Sequence, residues 1–265
     1  MSEATTEVSN ETAALATAPT IKYMDWVDPT SWPPSDLPYD DGEPMESPWH
    51  MGSGSLLKAS YIAARGGQML DFYVGVNMFV YYSWKQVRNS EYKGPDVYFV
   101  KDVDGQKPRL FWAIWDEDGR YPDVVIELLS PTTEQSDLTT KLEIYRQKFH
   151  LTEYFCIAPQ CERILGWKHN GDTMESLPLD ERGWMWSDYF GLWIGPWRGF
   201  YQGEEHTWPR FYHADGSLVL LEAESEKQRA ESEKQRAESE KQRADELAAR
   251  LATLEAELVR LRGGG

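Results

Sequence analysis

Tyr121-Pro122-Asp123-Val124-Val125-Ile126-Glu127-Leu128-Leu129-Ser130-Pro131 is the stretch on which the reading of this chain turns. Val124 to Leu129 is a β-branched and aliphatic run bounded by proline on both sides, the pattern of a buried strand. Glu127 interrupts it. A carboxylate among apolar neighbours is costly to bury unless a metal ion, a cation or a set of donors pairs with it. Strand parity puts Asp123, Val125, Glu127 and Leu129 on one face and Val124, Ile126 and Leu128 on the other. One face of the strand therefore presents two carboxylates, two pleats apart.

Downstream, Thr133 begins a helix to about His150, with Leu138, Leu142, Tyr145 and Phe149 forming an apolar stripe. Lys141 falls about 70° from the centre of that stripe, within reach of the sheet. Glu153 to Ala158 is the next strand. Upstream, Gly94-Pro95-Asp96 opens onto Val97-Tyr98-Phe99-Val100, a second strand entered through Pro-Asp. Lys101 to Gly105 reads as a turn and Leu110 to Ile114 as a short strand or extended connection. Met69 to Trp84 fits two strands broken at Gly75-Val76-Asn77. Ser47-Pro48 starts a first helix to about Ala64, ended by Gly66-Gly67, and the Gly52-Ser53-Gly54 cluster weakens its first half. Arg163 to Leu220 alternates short apolar runs with turns, as strands completing the sheet under a Trp-rich cover. The plan is α/β with a mixed sheet and flanking helices.

Three segments follow. Residues 1–45, poor in large apolar groups and then rich in Pro and Asp, are expected to be disordered or extended. Residues 46–220 form the folded domain, and 221–265 a long helical tail. In that tail Ala-Glu-Ser-Glu-Lys-Gln-Arg repeats three times from Ala223 to Arg243, and Leu247, Leu251, Leu254, Leu258 and Leu261 continue as a coiled-coil seam. The same register puts Glu226, Glu233 and Glu240 on the seam, where they would repel their counterparts in a parallel pair. Only the Leu half is fit to join a homodimer.

The net charge of -17 argues against a protein that simply coats nucleic acid, whose affinity rests on Lys and Arg. It does not exclude an enzyme whose carboxylates hold a cation. Cys156 and Cys161 lack the spacing of a redox or zinc pair and are expected to be reduced, as in a cytoplasm. No apolar run is long enough to span a membrane. His150, His169, His206 and His213 show no ligand spacing, which argues against zinc. No phosphate-binding loop or Ser-His-Asp set is visible. Trp184, Trp186, Trp193 and Trp197 could stack on bases, although their density suits a core.

Taken alone, Asp123 and Glu127 also fit a turn cap and an ordinary ion pair. Asp96 and Lys141 change the weighing. Neighbouring strands each entered through Pro-Asp bring Asp96 near Glu127, and the following helix supplies Lys141. Two carboxylates and an ammonium at one sheet end are what metal-assisted phosphodiester hydrolysis needs. Asp96 and Glu127 would hold Mg²⁺, or Mn²⁺, through hard oxygen ligands. Lys141 would orient the attacking water or offset charge in the transition state. A surface ion pair of Lys141 with Asp137, four residues earlier, remains the alternative for that lysine. Asp123 is a further candidate ligand. Glu46 and His50 either line the cleft or cap the first helix, and Tyr145 reads as core.

The blocks Pro122-Asp123-Val-Val-Ile-Glu127-Leu-Leu-Ser130-Pro131, Asp137-Leu-Thr-Thr-Lys141-Leu-Glu-Ile-Tyr145 and Glu153-Tyr154-Phe-Cys-Ile-Ala-Pro159 resemble the Uma-type putative restriction endonuclease family of the PD-(D/E)XK nuclease superfamily. Gly94-Pro95-Asp96 and Trp186-Ser187-Asp-Tyr-Phe-Gly191-Leu-Trp-Ile extend the likeness. The resemblance implies a restriction-endonuclease-like fold and a Mg²⁺-dependent DNA-cleaving site, with Asp96 and Glu127 as acidic ligands and Lys141 as the lysine moved onto the helix. Three departures stand out. Leu129 fills the E-x-K lysine slot, His150-Leu151 replaces the family's Gly-Val, and Tyr154-Phe155 its Tyr-Trp. Two further readings stay open: a nuclease-fold domain without turnover that serves as an assembly module through its tail, and a sugar or small-ligand binder using the Trp-rich region.

Overall fold

A computed structural model describes residues 47–83 and 94–262. The expectations for residues 1–45 and for Glu46 lie outside them. The first helix, α1 (Pro48–Ala64), starts where capping chemistry puts it, with Pro48 in its first turn and the Ser47 hydroxyl accepting the His50 N–H at 3.3 Å. It ends before Gly66 and Gly67, both at positive φ. The helix runs unbroken through Gly52, Ser53 and Gly54. A Cβ at Gly52 would lie 2.5 Å from the Trp208 ring, and one at Gly54 2.8 Å from the Val76 side chain. The small residues let the helix approach its neighbours closely.

The main sheet has six strands in the order β1 (Phe72–Val76), β3 (Val97–Lys101), β5 (Val124–Leu128), β6 (Glu153–Ile157), β7 (Ile164–Asn170) and β8 (Thr173–Ser176). All neighbours are antiparallel except β5 and β6, which are parallel and joined by a helical crossover, α2 (residues 134–149). Parallel neighbours need such a crossover. Between Met69 and Trp84, β1 runs through Gly75-Val76, and the break falls at Asn77, before the short β2 (Val80–Tyr81). That strand pairs with β4 (Trp112–Ala113). The segment after Arg163 departs from expectation. Only β7 and β8 complete the main sheet, whereas β9 (Met185–Ser187), β10 (Leu192–Tyr201) and β11 (Glu204–Tyr212) form a separate antiparallel sheet.

Parity explains the layers. Val124, Ile126 and Leu128 join Val97, Phe99, Phe155 and Ile157 in one core with Leu56, Leu57 and Tyr61 of α1 and Trp208 and Phe211 of β11. The opposite face carries Glu127 and Tyr154 and is covered by α2, whose Tyr145 ring lies 5.2 Å from that of Tyr154. The Trp-rich region is a half-buried cover rather than core. Trp184 stacks on Tyr212 at 3.9 Å, the Arg182 guanidinium lies over the Trp184 and Trp193 rings, and Trp186 meets Trp193 edge-on.

Within α2, regular turns alternate with two wider turns, Asp137–Lys141 and Tyr145–Phe149. Four residues in a regular helix overshoot one turn by about 40°. A wider turn, bonded five residues apart, offsets that drift and keeps every fourth residue on one line. The line that faces the sheet is Asp137, Lys141, Tyr145 and Phe149, while Leu138 and Leu142 of the expected stripe are only half-buried. Lys141 is thereby turned inward.

The tail is one helix, α3 (Glu222–Arg262). Arg210 of β11, fully buried, clasps its first turn by donating to both Glu224 carboxylate oxygens at 3.1 and 2.8 Å and to the Val219 carbonyl at 2.7 Å. Glu224 also accepts the Leu221 N–H at 2.8 Å, closing the helix start. Further along, Leu247, Leu251, Leu254 and Leu258 are 50 to 62% exposed. Among the described residues no helix is long and apolar enough to cross a membrane.

Candidate active site

Antiparallel pairing of β3 and β5 sets Val97 opposite Ile126, which places Asp96, one residue earlier, opposite Glu127. The two strand entries then bind each other's strand ends. Asp96 Oδ2 accepts the Leu128 N–H at 2.7 Å, and Asp123 Oδ2 accepts the Lys101 N–H at 2.7 Å. At the Asp96 end, Glu127 is fully buried, and its Oε2 accepts the Asp96 N–H at 3.3 Å. The Lys141 ammonium comes from α2 to within 3.2 Å of Oε2 and 2.7 Å of Asp137 Oδ1. The structure thus brings Asp96, Glu127 and Lys141 together. The ion pair with Asp137 is present too, but not at the surface, since the Asp137 side chain is 1% exposed.

Tyr145, on the same inward line, donates its hydroxyl to Glu127 Oε1 at 2.8 Å. It is a site neighbour as well as core. His50 does not act as the cap, a role that falls to Ser47. Its Nδ1 lies 2.8 Å from the Ser47 hydroxyl, and its Nε2 lies 3.0 Å from the Leu128 carbonyl. Both peptide groups of Leu128, the residue after Glu127, are therefore held by side chains. Asp123 is not part of this cluster. It sits at the far end of the strand, about 13 Å away by strand rise. There it accepts the Tyr189 hydroxyl at 3.1 Å and has Arg120 at 3.7 Å. Parity gave Asp123 the right face and the wrong end.

Charge in the cluster is unbalanced, because three acids face one lysine. Burial pushes the Glu127 carboxyl up to about 8, with Lys141 pulling against it and Asp96 and Asp137 adding to it. Burial also raises Asp96, opposed by the Leu128 N–H and Lys141. Burial draws Lys141 down, but Glu127 and Asp137 more than offset this and hold it above the ordinary lysine range. The Tyr145 hydroxyl is raised well above its ordinary value by burial and by Glu127, so it stays a donor.

Two adjoining carboxylates that share one lysine with Asp137 offer the hard oxygens that a divalent cation takes. Among the described residues no group of three or more His, Cys, Asp or Glu side chains is arranged to hold a metal.

Residues 32–195 match the model of the Uma2 family, described as putative restriction endonucleases. No curated protein matches. Among solved structures, the chain is similar to a putative nuclease belonging to DUF820 from Anabaena variabilis ATCC 29413. That match has 13% identity and a TM-score of 0.39, covering 57% of this chain and 81% of that one.

Proposed function

We propose, from the premise that this chain belongs to the Uma2 family of putative restriction endonucleases, that it is a Mg²⁺-dependent endonuclease hydrolysing DNA phosphodiesters at Asp96, Glu127 and Lys141. The observation that carries the reading is the meeting of a strand-entry acid, a fully buried strand acid and a helix lysine at one sheet end. Asp96 and Glu127 would hold the cation, and Mn²⁺ would serve in place of Mg²⁺. When bound, the metal supplies polarisation of the phosphate and a lowered pKa for its water. The protein's own groups do the rest. Tyr145 fixes the Glu127 rotamer from one oxygen. His50 and Asp96 hold the Leu128 peptide, and so the strand end that carries Glu127. Lys141 brings a positive charge to where the scissile phosphate gathers negative charge. The free thiols of Cys156 and Cys161 suit a reducing cytoplasm.

The test is nicking of supercoiled DNA with Mg²⁺ or Mn²⁺ by wild type and by Glu127→Ala. Metal-dependent nicking that vanishes in the variant supports the reading. No cleavage by wild type, together with no metal binding by calorimetry, overturns it.

A second reading is favoured by the exposed Leu247–Leu258 face of α3. An uncovered seam at alternating spacings of four and three suits a second copy of this chain. A nuclease-fold module without turnover would use that seam for assembly, and an active enzyme could use it as well. Mass measurement in solution with Leu251→Glu and Leu254→Glu separates a dimer that dissolves from a chain that was monomeric throughout.

A further inference from the structure

Asp137 lies beside the two-carboxylate site, paired with its lysine. Its side chain is 1% exposed, and a buried carboxylate is costly unless well paired. An ordinary helix pair four residues apart contributes too little to repay such burial. Asp137 is nevertheless held in place. The buried Tyr154 hydroxyl donates to its backbone carbonyl at 3.0 Å, and the wide turn Asp137–Lys141 aims both side chains at the sheet. Its Oδ1 is also the nearer of the two carboxylates to the Lys141 ammonium, at 2.7 Å against 3.2 Å for Glu127 Oε2.

The oxygen that Lys141 covers on Glu127 is the one that also accepts the Asp96 N–H, on the side shared with Asp96. The other oxygen is taken by Tyr145. A cation held jointly by Asp96 and Glu127 must therefore meet the lysine on Oε2. An ammonium and a divalent cation on one carboxylate oxygen repel strongly in a buried site. One of them must yield, and Lys141 has somewhere to go.

We infer that Asp137 is a positioning residue that retains Lys141 in the site when Glu127 accepts a divalent cation. The lysine releases Glu127 and stays on Asp137, so the site gains its metal without losing its ammonium. This rests on the nuclease reading above. Asp137 touches neither metal nor substrate in this scheme and acts through Lys141 alone.

The test is a double-mutant cycle on the full chain, read by calorimetric titration with Mn²⁺ rather than by cleavage. Asp137→Asn is expected to weaken Mn²⁺ binding on the order of tenfold, because the ammonium then clings to Glu127. Lys141→Met is expected to tighten it. With Lys141→Met in place, adding Asp137→Asn should cost only about two- to threefold, the residue of a lost negative charge. Equal losses in both backgrounds, as for a metal ligand, would overturn the inference while leaving the nuclease reading intact. So would unchanged affinity with only a lowered unfolding midpoint. Should Asp137→Asn fail to fold, Asp137→Glu keeps the charge and is expected to stay within about threefold of wild type; a tenfold loss there also overturns it. A wild type that binds no Mn²⁺ sinks both.

Discussion

At one end of the β3–β5 pair Asp96 takes the Leu128 N–H, and at the other Asp123 takes the Lys101 N–H, each at 2.7 Å. The backbone device is the same, and so is the Pro-Asp sequence that makes it. The surroundings differ. Asp123 meets a hydroxyl from Tyr189 and a guanidinium from Arg120, while the Lys101 ammonium donates to the Tyr189 carbonyl and lies over its ring. One acid is answered by cations and a neutral donor, and that end is finished. Asp96 instead adjoins two more acids, Glu127 and Asp137, with a single lysine among them. A strand clasp becomes a candidate site through the charge left over around it, and not through the clasp itself.

The largest test of that contrast is catalytic. Glu127→Gln is expected to lower metal-dependent DNA nicking by about 10³-fold or more, several kcal/mol of transition-state stabilisation. Asp123→Asn should leave nicking nearly unchanged, and an equal loss from both would dissolve the distinction between the ends.

The next effect is on stability against pH without metal. The Glu127 carboxyl, lifted from 4.5 to about 8, keeps its proton in the folded protein over a range where the unfolded chain has lost it. Its contribution is full below the ordinary value and is lost as pH rises towards about 8, by a few kcal/mol at most. Urea unfolding in a chelator at about pH 5 and about pH 8 should show wild type losing stability relative to Glu127→Gln. Parallel curves would refute the charge imbalance.

At the finished end, Asp123→Ala strands the Lys101 N–H and the Tyr189 hydroxyl and should cost about 1–3 kcal/mol in the same assay. Smallest is Tyr145→Phe, which removes the donor to Glu127 Oε1. It should lower Mn²⁺ affinity about tenfold while costing roughly 1 kcal/mol of stability.

Much of this was legible in the residues. An acid inside an apolar run, two Pro-Asp strand entries and a helix lysine pointed to Asp96, Glu127 and Lys141 as neighbours, and the structure places them so. What could not be read is instructive. Parity assigns a face but not a position along it, which is why Asp123 looked like a companion of Glu127. Asp137 and Tyr145 reach the site because two turns of α2 are wider than a regular helix, and no residue type announces such a turn. His50 lies 78 residues before Leu128, and only tertiary packing of α1 brings it to that residue's carbonyl. His150 ends α2 in the left-handed conformation at φ 51, a position that favours glycine, and nothing in the structure explains the histidine there.

The Arg210–Glu224 clasp has a consequence of reach. With its first turn bound to β11, α3 leaves the domain as a rod of 41 residues, about 60 Å long, and not as a slack tether. A rod of that kind bends only gently. Whatever grips its far end is held about 60 Å along the rod from its anchor on β11, comparable to almost two turns of duplex DNA. The tail can then serve as a ruler as well as a handle, and loosening the clasp would blur the measurement without touching either the leucines or the acids.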